Sequence, residues 1–157
     1  MSHKILYICT HNRCRSILAE AVSRHLVGNK ILVASAGSSP VEKVHPLSLR
    51  YLAERGISTD GLHSQSWDEF ASFRPDLIIT LCDQAAAEAC PVWFGEGISI
   101  HWGLHDPSTV NGTEKQVGDA FNATIDRLVR VINQLIEINT DNLTSVEIAN
   151  YFQQLTE

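Results

Sequence analysis

Two periods of apolar and polar positions alternate along this chain, one of strands and one of helices. The run Lys4-Ile-Leu-Tyr-Ile-Cys9 is short, apolar and rich in strand-favouring residues, and it ends in the polar cluster Thr10-His11-Asn12-Arg13, which predicts a buried first strand. From Ser16 onward Ile17, Leu18, Ala21, Val22, Leu26 and Val27 keep a helical period that stops at Gly28, so a first helix starts inside the polar cluster. A second strand over Ile31 to Ala36 closes on Gly37-Ser38-Ser39-Pro40, and a second helix runs from about Pro46 to Arg55, with Gly56 after its end. Ser66 and Glu69 have capping-box spacing and open a short helix before an apolar strand, Asp76 to Cys82. Asp83 to Ala89 is Ala-rich and ends at Cys90-Pro91, and Ile98 to Leu104 makes a weaker fourth strand. Thr113 and Gln116 form another capping box, after which Val117, Ala120, Phe121, Ile125, Leu128, Ile132, Leu135 and Ile136 hold one apolar stripe, enough to cover a sheet face. Thr144 and Glu147 cap a last helix whose Ile148, Phe152 and Leu155 share a face.

Strands alternating with helices imply an α/β fold with a parallel sheet and right-handed crossovers, in which the loop leaving the first strand lies at a topological switch point, where ligands bind. A length of 157 residues suits one domain with a sizeable core. Residues 1–138 are expected to form that domain and residues 139–157 a C-terminal helical tail. The 12 Lys and Arg against 18 Asp and Glu leave a net charge of −6 and no basic block, which argues against nucleic acid as a partner. No stretch has the apolar length of a secretory signal or a membrane span, so a cytoplasmic protein with no membrane partner is expected. In a reducing compartment its four cysteines, Cys9, Cys14, Cys82 and Cys90, are too few for a disulfide scaffold and are either packed or reactive.

The segment Cys9-Thr10-His11-Asn12-Arg13-Cys14-Arg15-Ser16 sets a cysteine at a strand end, five loop residues, and then Arg and Ser at a helix start. Backbone N–H groups converging in such a loop, the positive end of the helix and the two-pronged guanidinium of Arg15 together cradle a tetrahedral oxyanion. Thr10 through Ser16 are therefore the candidate oxyanion-binding residues, with Arg13 widening the field. The same environment favours thiolate over thiol, and Ser16 can donate a hydrogen bond to the sulfur, so Cys9 is the expected nucleophile.

That loop resembles the signature of the low-molecular-weight protein tyrosine phosphatases, and Asn12, Ser35-Ala36-Gly37 and Asp106-Pro107 match the family's other recurring pieces over about residues 3–137. The resemblance implies a three-layer α/β/α sandwich with a four-stranded parallel sheet in the order 2-1-3-4. It also implies that Asn12 and Ser35 brace the loop and that Asp106 is a general acid over the pocket. The stretch from Thr80 through Cys82, Cys90-Pro91 and Trp93, followed by His101-Trp102-Gly103 and Asp106-Pro107, is similar to the arsenate reductases built on this fold. By that similarity Cys9 attacks arsenate, Cys82 resolves the adduct and Cys90 takes over to form a Cys82–Cys90 disulfide. Electrons then come from thioredoxin or from glutathione with glutaredoxin, with no bound cofactor, and phosphate or sulfate compete for the cradle.

The alternative is a phosphatase that hydrolyses phosphomonoesters through Cys9, Arg15 and Asp106 and needs no second thiol. Phosphotyrosine enzymes of the family follow Asp-Pro with aromatic residues, whereas Ser108 and Thr109 stand here. Some relatives bind potassium through Asn, Glu, Ser and Asp; this chain offers Asn12, Glu20 and Ser35 but Gln65 in the last place, and the ion is not assigned. His11, His101 and His105 fit no zinc spacing, so no metal is expected either. Cys14 reads either as a protective partner for Cys9 or as an inert packed thiol. Trp67, Trp93 and Trp102 read as core and pocket wall, and the tail as packed on a monomer, with a dimer contact as the sharper alternative. Residues eight apart on a helix lie about 12 Å apart along its axis, whereas disulfide Cα atoms lie about 4.4–6.8 Å apart. Residues 83–89 are therefore expected to be helical when reduced and looped when oxidised.

Overall fold

Parallel strands buried on both faces read as unbroken apolar runs, and the sequence is written that way over β1 (His3–Ile8), β2 (Ile31–Ala36), β3 (Leu77–Thr80) and, more weakly, β4 (Ile98–His101). The computed structural model describes residues 3–28, 30–82, 97–137 and 142–156. Every strand pairing is parallel and the sheet order is β2-β1-β3-β4, the order expected. β1 is central, with Ile5 opposite Val33 on one side and Leu77 on the other. Its side chains alternate between faces: Ile5 and Tyr7 enter a large core, while Leu6 and Ile8 enter a smaller one opposite.

The large core lies under α1 (Arg15–Val27) and α3 (Glu114–Glu137), which bury Leu18 and Val22 against Phe121, Ile125 and Leu128. Between them in sequence, α2 (Pro46–Glu54) packs on both, its Tyr51 ring stacked on Phe121 at 5.3 Å. Both halves of the expected capping box open α3, since the Thr113 N–H reaches Gln116 Oε1 at 2.9 Å and the Gln116 N–H reaches Thr113 Oγ1 at 3.1 Å.

On the opposite face the short helix expected after Ser66 is a 3₁₀ turn, Trp67–Phe70, rather than an α-helix. Its capping box is made, but four residues are too few for i→i−4 bonds to repeat, and Phe70 and Phe73 turn inward onto Leu6, Ile8 and Ile78. Two strands are shorter than predicted. β1 leaves the sheet at Cys9, so the β3 ladder ends at Thr80 and Cys82 stands beyond it, although the Leu81 N–H still bonds Ile8 O at 2.9 Å. β4 likewise stops at His101, and Trp102 and Leu104 follow as single bonds to Thr80 and Leu81.

The tail helix α4 (Ser145–Thr156) buries Ile148, Ala149 and Phe152 beside β4, with Phe152 edge-on to Trp102 at 5.5 Å and 75°. Asp83 to Ala89, Cys90 and Trp93, named in the sequence reading, lie outside the described residues. Among the described residues no helix is long and apolar enough to cross a membrane.

Candidate oxyanion and thiol site

Where β1 ends, the chain folds into a loop held from behind by buried polar contacts. Gly37 leaves room for it: a Cβ there would sit 2.6 Å from Thr10 O and 2.9 Å from both Cys9 O and Asn12 N. Asn12 adopts φ 47°, a left-handed conformation that asparagine tolerates better than most residues. Its fully buried side chain donates through Nδ2 to Ser16 Oγ at 2.8 Å and to Ser35 Oγ at 2.9 Å, and its Oδ1 accepts the Gln65 N–H at 2.9 Å. Ser16 Oγ is also 2.8 Å from Cys9 Sγ; because it accepts from Asn12, its own hydrogen is left to point at the sulfur. Ser35 in turn donates to Glu20, whose second oxygen pairs with Arg24. Burial raises the Glu20 carboxyl above its usual 4.5, against the opposing pull of Ser35 and Arg24. Gln65 Nε2 donates to Ser35 O at 2.9 Å, so the same cluster gathers Asn12, Glu20, Ser35 and Gln65.

At the front of the loop, Arg15 opens α1 and its guanidinium is anchored to carbonyls of the neighbouring strand exits, Leu104 O at 3.1 Å and Leu81 O at 3.4 Å. Its other nitrogen lies 3.6 Å from Asp106 Oδ2. Asp106 N-caps a 3₁₀ turn, Pro107–Thr109, and its Oδ1 accepts the Ser108 N–H at 2.9 Å and the Ser108 hydroxyl at 2.6 Å. These groups face one open pocket of about 390 Å³, walled by Cys9, Arg15, Cys82, Asp106, Arg13 and Ser108 together with Thr10, His11 and Cys14. The N-cap residue of α1, Cys14, makes no side-chain cap, which leaves the first-turn N–H groups uncapped at the end of the helix where this pocket lies.

Three sulfurs line this pocket, and they are buried on different sides of the sheet. Cys82 shares the smaller core with Cys9, and Thr10 Oγ1 lies 3.4 Å from Cys82 Sγ. Cys14 belongs to the opposite, larger core, where burial pushes its thiol up to about 12 despite the Ser48 hydroxyl and Arg15. A thiol so reluctant to ionise favours the inert reading of Cys14. The partner Cys90 lies outside the described residues.

Of the remaining loop residues, His11 and Arg13 are exposed on the rim, His11 with Nδ1 3.1 Å from Ser39 O, while Asn12 and Ser16 stand behind the pocket as braces rather than on its wall. The sequence reading did not single out His45, which caps α2 by accepting the Leu47 N–H on Nδ1 at 3.1 Å and binds Arg13 O through its backbone. Partial burial and Arg13 lower its imidazole while Asp106 opposes them. Its signal was a polar residue directly before the helix-starting Pro46. Nor did it foresee the carbonyl anchors of Arg15, which come from strand ends distant in sequence. Among the described residues no three metal-ligating side chains converge.

The sequence profile of the family described as low molecular weight phosphotyrosine protein phosphatase matches residues 4–146. An arsenate reductase of Halalkalibacterium halodurans is 31% identical over 138 residues, covering 87% of this chain and 98% of that protein. A glutaredoxin arsenate reductase of Synechocystis is 33% identical over 104 residues, 66% of this chain and 78% of that one. Among solved structures, a thioredoxin-dependent arsenate reductase of Corynebacterium glutamicum superposes with a TM-score of 0.62 at 26% identity over 85% of this chain, which spans 63% of that protein.

Proposed function

The chain belongs to the low molecular weight phosphotyrosine protein phosphatase family, and from that premise we propose that it is an arsenate reductase working by a relay of cysteines. The observation that carries this reading is the second thiol at the oxyanion pocket: Cys82 lines the same wall as Cys9, where hydrolysis of a phosphomonoester would need only one sulfur.

Arsenate enters the cradle with its charge on the loop N–H groups and the Arg15 guanidinium. The Cys9 thiolate, held by the Ser16 hydroxyl, bonds to arsenic, and one oxygen leaves as water with a proton from Asp106. A Cys82 thiolate then attacks the Cys9 sulfur. A Cys9–Cys82 disulfide forms, the sulfur–arsenic bond breaks and its electron pair stays on arsenic, so As(V) leaves as arsenite. Cys90 next attacks Cys82, which frees Cys9 and leaves a Cys82–Cys90 disulfide. A thioredoxin- or glutaredoxin-class dithiol reduces that bond, and two electrons have passed in all. Ser108 and Thr109 follow Asp106-Pro107, and among the described residues no Phe, Tyr or Trp lines the pocket, which suits a small inorganic oxyanion better than an aryl ester.

The test couples arsenate to NADPH oxidation through thioredoxin and its reductase, and in a parallel arm through glutathione and glutaredoxin, beside aryl phosphate hydrolysis. Cys82→Ser is expected to abolish multiple-turnover arsenate reduction and to spare hydrolysis. Sustained arsenate turnover by Cys82→Ser in either arm would overturn the assigned roles.

A further inference from the structure

Asp106 is fastened in an uneven way. One carboxylate oxygen, Oδ1, accepts two donors from a single residue, the Ser108 N–H at 2.9 Å and the Ser108 hydroxyl at 2.6 Å. The other, Oδ2, among the described residues meets only the Arg15 guanidinium at 3.6 Å, a loose contact on the pocket side. The backbone is tied as well, since Asp106 O accepts the Thr109 hydroxyl at 2.8 Å and the Thr109 N–H at 3.3 Å, and Pro107 fixes the turn. A carboxylate oxygen has two in-plane lone pairs, and on Oδ1 both are taken.

We propose that Ser108 is a positioning residue for the reaction: by occupying Oδ1 through its hydroxyl it leaves Oδ2 as the one oxygen of Asp106 that carries the proton to the departing arsenate oxygen. This rests on the arsenate reductase reading above and goes beyond it by dividing the work within the carboxyl group. Without the hydroxyl, Oδ1 keeps only the backbone donor, the carboxyl group can turn about its Cβ–Cγ bond, and the proton resides on either oxygen. Removing a short charge-assisted hydrogen bond also weakens the hold on the carboxylate form. Among the described residues, the other ionisable groups near Asp106 are Arg15 of α1, Cys14 at its N-cap and His45 at the cap of α2, with Cys9, His11, Arg13 and Cys82 lining the same pocket, and none of them is altered by changing Ser108. Thr109 still ties the backbone, so the loop itself is kept.

The experiment compares wild type, Ser108→Ala and Ser108→Thr in three measurements. Inorganic phosphate affinity is expected to change by no more than about twofold, because the loop and Arg15 form its seat. Single-turnover arsenate reduction by Ser108→Ala is expected to fall about three- to tenfold at the wild-type optimum, with its alkaline limb moved up by roughly one pH unit, and Ser108→Thr to keep the wild-type profile. The ¹³C carboxyl signal of Asp106 is expected to titrate at higher pH in Ser108→Ala than in wild type, a readout that needs no turnover. A merely structural role would lower rate and phosphate affinity together with no displaced limb, and that outcome overturns the proposal. So does a wild-type Asp106 titration in Ser108→Ala. If wild type reduces no arsenate at any pH, the functional reading fails, and the carboxyl titration alone decides whether Ser108 governs Asp106.

Discussion

At the scale of single residues, the pocket separates thiols by where each is buried. Cys9 has the Ser16 hydroxyl at 2.8 Å and faces the oxyanion seat, whereas Cys14, five positions on, is packed in the large core with its thiol pushed from 9.0 to about 12. A thiol whose folded value lies above its unfolded one contributes stability that is complete below about pH 9 and is lost as pH rises toward 12. Wild type is therefore expected to lose stability relative to Cys14→Ala by up to about 1.4 kcal/mol per pH unit above pH 9, read from denaturant unfolding between pH 8 and 11. Tyr7, raised to about 12 by burial, is common to both proteins and cancels in the difference. Arg15 is a second test. Its guanidinium reaches two carbonyls and Asp106 while facing the pocket, which a single ammonium cannot imitate. Arg15→Lys is expected to weaken inorganic phosphate binding at least about tenfold by calorimetry, with unfolding free energy changed by less than about 1 kcal/mol.

At the scale of elements, the loop depends on what lies behind it. Gly37 follows β2 with no room for a methyl group against Thr10 O, Cys9 O and Asn12 N, and because the obstacles are backbone atoms, Gly37→Ala must push the loop out of shape. The expected result is a loss of about 1–3 kcal/mol in unfolding free energy together with weaker phosphate binding. The tail helix should behave differently. Phe152→Ala opens a cavity against Trp102, neither of which lines the pocket, and is expected to cost about 3–5 kcal/mol while leaving phosphate affinity intact. Most of this architecture was legible in the chain because periodicity and caps are local: the apolar run of β1, the stripe of α3 and the boxes at Thr113 and Thr144 each declare themselves within a few residues. Strand ends and the 3₁₀ turn at Trp67 were not legible, because they depend on where a partner strand leaves the sheet and on which aromatic side chains turn inward. The loop with Cys9, Arg15 and Ser16 could be read as a spacing, but the anchoring of Arg15 by Leu81 and Leu104 joins segments 66 and 89 positions away, and no local pattern announces it.

At the scale of the whole molecule, the switch point between β1 and its neighbours brings one thiol from a strand-to-helix loop and another from the exit of β3 onto a single pocket in a chain of net charge −6. The guanidinium groups of Arg13 and Arg15 both line that pocket, so capture of arsenate should slow as ionic strength rises even though the protein as a whole repels anions. In the proposed relay the sulfur of Cys82 takes over the adduct formed on Cys9. That step is tested most directly by giving one equivalent of arsenate to the reduced Cys90→Ser protein, quenching with acid and mapping disulfides by mass spectrometry. A peptide pair joined through Cys9 and Cys82 is expected, with one arsenite released per chain; arsenite release without that bond, or a bond from Cys9 to Cys14 in its place, would refute the relay.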